Sequence, residues 1–224
     1  MSVHFASFDR TWKQTAETAV DARVCECCPT AAVVTRDGPV VAYRNRAEGE
    51  IRDIHMSRLQ SGVWSESKAV HDDNWKINAC PVNGPMLAAR GANVAIAWFT
   101  AAGDEGRALL AFSKDSGRSF AAPIRLDDAG SLGRVDLEML ADSSVVATWI
   151  EFAGGRAQFR ARRVTESGVK SEAVTVAGIE GSRASGYPRV AAFGDEIVLA
   201  WVEPADTGSM VRTAVMAAGT SSRD

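Results

Sequence analysis

"NVAIAWFT", Asn93 to Thr100, is a short run of small and β-branched side chains that closes on aromatics. Such residues fit a pleated, half-buried surface and lose side-chain freedom in a helix, so the run reads as a strand. Three other stretches read the same way: "PVVAYRN" (Pro39–Asn45), "SVVATWIE" (Ser144–Glu151) and "EIVLAWVE" (Glu196–Glu203). Gly, Asp or Asn bounds these runs, as hairpin turns require, and no segment sustains a helical apolar period over three turns. The class is all-β.

The four runs share a register. Tyr43, Trp98, Trp149 and Trp201 end equivalent strands at a period of about 50 residues, the range of propeller blades. A hairpin glycine follows the first three at one offset, as Gly62, Gly117 and Gly168, and Gly219 falls one residue short of it. Fifteen residues before each aromatic stand Cys28, Asn83, Arg134 and Gly186; two positions later come Thr30, Pro85, Asp136 and Pro188. Each unit therefore reads as four antiparallel strands, A to D, spanning roughly 29–70, 81–126 and 133–176. Residues 186–216 form a partial unit without strand D, and residues 1–22 supply strands C and D of an earlier one. The expectation is a single domain over 1–224, a β-propeller of four-stranded antiparallel blades. Three blades are complete and both ends partial, as an open arc of a longer five- or six-bladed propeller. Exposed edges would fall at Ser2–Arg10 and Met210–Met216, free to pair with missing blades or another chain. A β-sandwich with accidental periodicity is the alternative.

One hairpin carries a resemblance. "SKDSGRSF", Ser113 to Phe120, resembles the Asp-box, Ser-x-Asp-x-Gly-x-Thr-Trp, with Ser and Phe in the last two places. Its Asp caps its own turn while Gly supplies positive φ, which is a structural role. "SGVWS" and "SGVKS" look like eroded copies. The chain resembles, over nearly its full length, the sialidase-like (BNR-repeat) propellers. The resemblance implies a glycoside hydrolase of exo-sialidase type, or a carbohydrate-binding relative, that recognises an anionic glycan or small ligand. Family sialidases use an arginine triad, a Tyr–Glu nucleophile pair and an acidic Asp. Their first arginine lies in a Phe/Tyr-Arg-Ile-Pro motif that is absent here, and no other position matches residue by residue. Weak or no hydrolysis of simple sialosides is expected.

Composition narrows the partners. The formal charge of −3 mixes both signs and leaves no nucleic-acid footprint. No apolar run is long enough to span a bilayer, and "MSVHFASFDR" lacks the basic and apolar regions of a signal peptide. A periplasmic or secreted full-length protein is the expectation on localisation.

Propeller geometry sorts the polar residues by face. D-to-A and B-to-C connections lie on one face, here called upper, where ligands of propellers generally sit near the axis. That face receives Arg44, Asn45, Arg46, Asn83, Arg134, Asp136, Glu151, Tyr187, Arg189 and Glu203. Arg134, Arg189, Asn83, Arg44 and Arg46 are candidate ligand-binding residues, because arginine forks suit a carboxylate. Tyr187, Glu151, Glu203 and Asp136 are the candidate catalytic residues; Tyr187 is the sole nucleophile candidate, since Tyr43 belongs to the repeated packing position. Strand-end charges are usually solvated, and Trp98, Trp149 and Trp201 suit inter-blade packing better than stacking on a ligand. "HDDNW", His71 to Trp75, offers an acid–base or metal loop, with a plain polar connection as the alternative; His4 and His55 fall in C strands.

The cysteines are crowded. Cys25, Cys27 and Cys28 lie in "RVCECCPTAA", and Cys80 in "NACPVNGP". In the repeat register all four sit on two neighbouring D-to-A connections, so Cys80 should lie close to the other three, beside Asn83. Three roles compete: a disulfide crosslink, a soft-metal site for copper or zinc, and free buried thiols. A non-catalytic propeller built around this cluster is the alternative to the glycan-directed reading.

Overall fold

The computed structural model describes residues 1–205 and 207–218; Gly219 lies outside the described residues. Strands β1 (Val3–Phe8) and β2 (Gln14–Asp21) form a hairpin at the N-terminal end. The next sheet holds β3 (Ala31–Thr35), β4 (Gly38–Arg44) and β5 (Ile54–Gln60). Its outer strand is split into β6 (Val63–Trp64) and β7 (Lys68–Ala69), each paired with β5. Two sheets of four consecutive strands follow. One runs β8 (Met86–Arg90), β9 (Asn93–Thr100), β10 (Arg107–Ser113), β11 (Ile124–Arg125). The other runs β12 (Ser131–Met139), β13 (Val145–Ala153), β14 (Arg156–Val164), β15 (Val174–Gly178). The last sheet holds β16 (Arg189–Phe193), β17 (Glu196–Ala205) and β18 (Gly208–Ala217). Helix among the described residues is confined to three one-turn 3₁₀ segments.

The core lies between sheets. Val40, Ala42, Ile54 and Met56 pack on Ile96, Trp98, Leu109 and Ala111 of the next sheet. Ala95, Leu110 and Leu126 then meet Val135, Val145 and Trp149, and Val146 with Phe159 meets Val190, Ile197 and Leu199. The N-terminal hairpin is seated by Val3 and Val20 against Val41 and Tyr43. A sheet buried on both faces must be apolar on both, which is why β9 and β13 read as continuous runs and do not alternate.

Tyr43, Trp98, Trp149 and Trp201 occupy β4, β9, β13 and β17, the second strand of each sheet. Trp98 and Trp149 are fully buried, and each gives its indole N–H to a carboxylate, Asp73 Oδ2 at 2.7 Å and Glu151 Oε2 at 2.9 Å. The Tyr43 hydroxyl donates to Asp21 Oδ2 at 2.9 Å. Asp21 and Asp73 precede the sheet that each aromatic belongs to, so these bonds fasten consecutive units while satisfying a buried donor. The His71–Trp75 loop is part of the same fastening: His71 Nδ1 lies 2.8 Å from Asp73 Oδ1, and Asp53 accepts from the Asn74 and Trp75 N–H groups. His4 pairs with Glu17, and His55 lies beside Asn45 and Ser67.

The Ser113–Ser119 turn closes on itself. Ser113 Oγ donates to Asp115 Oδ1 and accepts from the Gly117 N–H. The Ser119 N–H and hydroxyl both donate to Asp115, at 2.9 and 2.6 Å. Burial pushes the Asp115 carboxyl up, but these donors outweigh it and hold the group at about 2.

Candidate thiol site at the mouth of the propeller

The first strands β3, β8, β12 and β16 stand side by side around a groove of about 390 Å³. Ala31, Met86, Val135, Tyr187 and Arg189 are among its lining residues. Pro29, next in the chain to Cys28, also lines it. On the connection into β3, Cys25, Cys27 and Cys28 place their sulfurs within 4.8 Å of one another. Cys25 Sγ is 3.1 Å from Cys28 Sγ and 3.7 Å from Cys27 Sγ. Cys80 arrives from the next connection and stands near enough to the Cys27 thiol to help push its pKa up. Cys25 is buried, Cys27 and Cys28 are half-buried, and Cys80 is exposed.

Close approach of the two connections depends on Gly84. A Cβ there would lie 2.0 Å from the Pro29 carbonyl oxygen, so only glycine fits. At Gly133, with φ +84°, a Cβ would fall 2.3 Å from Asn83 Oδ1. Asn83 in turn accepts from the Arg134 N–H at 2.8 Å.

The sulfurs sit in a positive environment. Arg52, 3% exposed, directs Nη1 at Cys25 Sγ from 3.3 Å and Nη2 at Glu50 Oε2 from 2.8 Å. The hydrogen bond from Cys28 pulls the Cys25 thiol down to about 5, helped by the Cys27 N–H and Arg52 and opposed by burial. That same bond, followed by burial, pushes Cys28 up; burial, then Cys80, pushes Cys27 up to about 11. One thiolate shared among S–H donors is the arrangement, and thiolate is the form that binds metals and attacks disulfides.

The candidate ligand-binding and catalytic residues separate into spent and available groups. Arg44 is buried, and its guanidinium donates to the carbonyls of Asn83 (2.7 Å), Arg52 (2.6 Å) and Phe99 (2.7 Å). Arg46 pairs with Glu26 and, at 3.0 Å, with Glu50. Glu151 is buried, accepting from the Trp149 indole and the Asp128 N–H. Asp136 is buried and accepts from the Leu137 and Val190 N–H groups, and Arg189 joins it at 3.0 Å. Glu203 pairs with Arg212 at the exposed end of the last sheet. The Tyr187 hydroxyl donates to the Val82 carbonyl, and burial pushes its pKa up, which weakens it as a nucleophile. Arg134 lies near Tyr187 and keeps Nη1 buried without a partner. The structure thus joins Arg189 to Asp136 and sets Arg134 beside Tyr187, with Glu151 and Glu203 engaged elsewhere.

Sequence reasoning missed Arg52 and Arg183. Arg52 lies two residues before β5, and a charge wedged in "EIRDIH" is a readable signal for a buried partner. Arg183, whose Nη2 donates to the Cys80 carbonyl at 3.0 Å, stands in a Gly/Ser-rich stretch that carries none.

No protein-family model matches the chain, and no curated protein matches it. Solved structures do. A Hadza microbial sialidase is 16% identical with a TM-score of 0.53, covering 83% of this chain and 43% of its own. The NanB sialidase of Streptococcus pneumoniae is 12% identical with a TM-score of 0.54, covering 86% and 31%. The Bombyx mori GH32 beta-fructofuranosidase BmSUC1 is 14% identical with a TM-score of 0.50, covering 86% and 49%. The chain spans less than half the length of each. At such identities the likeness is one of fold, and that fold is an all-β propeller of four-stranded antiparallel blades.

Proposed function

We propose that this chain is a non-hydrolytic propeller whose cysteine cluster holds a thiophilic metal ion: copper(I) on Cys25, Cys27 and Cys28, or zinc when Cys80 supplies a fourth sulfur. The observation that carries this reading is the set of three sulfurs within 4.8 Å of one another on the connection into β3. Soft thiolates select copper(I) and zinc over harder ions, and copper(I) accepts a low-coordinate sulfur set that zinc does not. Arg52 and Arg44 beside the sulfurs offset the negative charge of a thiolate-rich site. Titration of reduced protein with copper(I) against a chromophoric chelator tests it, with zinc in parallel. About one copper(I) per chain is expected. Failure of both ions to bind overturns the reading.

The groove favours a second reading, a glycan or small anionic ligand. It offers about 390 Å³ with the Tyr187 phenol and the Arg189 guanidinium on its wall, and the fold neighbours include proteins titled sialidases. Hydrolysis has less support, because Asp136 and Glu151 are engaged by backbone N–H groups and the phenol donates to a carbonyl. No turnover of a fluorogenic sialoside is expected. Turnover that is lost in Tyr187→Phe would install the hydrolase in place of the metal binder.

A further inference from the structure

The four thiols are not equivalent, and their placement selects among the three complete pairings that four cysteines allow. Cys25 and Cys28 have Cys-x-x-Cys spacing and the shorter separation, 3.1 Å. Cys27 is engaged by Cys80 from the neighbouring connection. Cys28 makes the shortest of the sulfur contacts, with Cys25 and not with Cys27. Pairing Cys27 with Cys28 would strain a bridge between adjacent residues. Pairing Cys28 with Cys80 would part it from Cys25, 3.1 Å away, and leave Cys25 to the more distant Cys27 at 3.7 Å.

We infer that the cluster, beyond the metal-binding reading on which this rests, is a thiol–disulfide exchange site that closes in one connectivity, Cys27–Cys80 and Cys25–Cys28, and gives up its metal as it does so. The co-reactant is a low-molecular-weight disulfide, RSSR. Exposed Cys80, as thiolate, attacks one sulfur of RSSR, forming a Cys80–SR mixed disulfide and expelling RS⁻. Cys27 loses its proton to solvent and attacks the Cys80 sulfur, expelling the second RS⁻ and joining the two connections. Half-buried Cys28 passes its proton to the Cys25 sulfur 3.1 Å away and captures a second RSSR, expelling RS⁻. Cys25, with Arg52 Nη1 at 3.3 Å to favour its anion, releases that proton and attacks the Cys28 sulfur. Each bridge oxidises two protein thiols and reduces one RSSR to two RSH. The first bridge takes Cys27 from copper(I), or Cys27 and Cys80 from zinc, and the second removes the rest.

The test incubates the reduced full chain with oxidised glutathione, counts thiols, maps tryptic peptides and measures copper(I) retention. Thiols should fall from four to two to none, and peptide 77–90 should become linked to peptide 24–36 through Cys27. Copper(I) affinity should drop at least about tenfold at the first step, as Cys27 is lost from its three sulfurs. In Cys27→Ser the link to 77–90 should vanish while the bridge within 24–36 remains. A link from Cys80 to Cys25 or Cys28 in the wild-type chain, or four thiols surviving oxidation, overturns the inference. Pairing as stated by a protein that never took copper(I) or zinc would instead sink the metal reading and leave the exchange site standing.

Discussion

The Ser113–Ser119 turn and the thiol mouth are both short polar connections between strands, yet they are built on opposite principles. In the turn a carboxylate gathers the donors: Asp115 takes Ser113 and both Ser119 donors, Ser113 takes Gly117, and the Ser116 hydroxyl is the group left buried without a partner. At the mouth the sulfurs meet mainly one another, weak partners all, and Arg134 Nη1 is buried with none. Saturated polar networks fix a shape, whereas unsatisfied ones retain capacity for a ligand.

The comparison breaks most visibly at Arg44, which underlies the mouth yet behaves as a structural group. Arg44→Met strands three carbonyls that now accept from one buried guanidinium. A loss of about 3–5 kcal/mol in chemical denaturation is expected. A loss below about 1 kcal/mol would return Arg44 to the ligand-binding set. Next comes Cys25→Ser, which should lower copper(I) affinity by about 100-fold or more while leaving the denaturation midpoint nearly unchanged. Cys80→Ser, at the exposed margin of the cluster, should lower zinc affinity about tenfold and leave copper(I) affinity nearly unchanged.

On the opposite face the effect should appear in stability and not in metal binding. Asp115→Ala removes the cap of its own turn and should cost about 1 kcal/mol without altering copper(I) affinity. Acid sharpens this test. Asp115 is held at about 2 against an ordinary 3.8, so its contribution is complete above the unfolded value. That contribution is lost as pH falls from about 4 toward 2, and Asp115→Asn should flatten that limb of the stability profile. The smallest effect is at Glu203, half-exposed and paired with Arg212 at 2.6 Å. Glu203→Gln should stay within about 0.5 kcal/mol, and a larger loss would mean the last sheet depends on its surface.

The fold was legible because inter-sheet packing imposes the same demand once per unit. A large aromatic within the second strand fills the gap to a neighbouring sheet, so Tyr43, Trp98, Trp149 and Trp201 recur in register. The cysteines were legible for the same reason: register places them on adjacent connections. The roles of Arg44, Asp136 and Glu151 were not. At a strand end the choice between facing the mouth and turning into a seam depends on backbone groups of other sheets, such as the Phe99 carbonyl and the Val190 N–H. Those partners lie as far as 55 residues away in the chain. The outer strand of the first complete sheet also differs from the repeat. Ser65 bonds to the Arg58 N–H through its hydroxyl and to the Arg58 carbonyl through its N–H, and Val63–Trp64 and Lys68–Ala69 pair as separate pieces.

Gly84 has a consequence for heredity. Every glycine codon becomes an alanine codon by a single base change, and the methyl group so added has no room beside Pro29. The two connections would have to part, drawing Cys80 away from Cys27 while the sheets, whose packing lies elsewhere, keep their form. A lineage could therefore shed the sulfur chemistry in one mutational step and retain a sound propeller, and could recover it as readily by reversion.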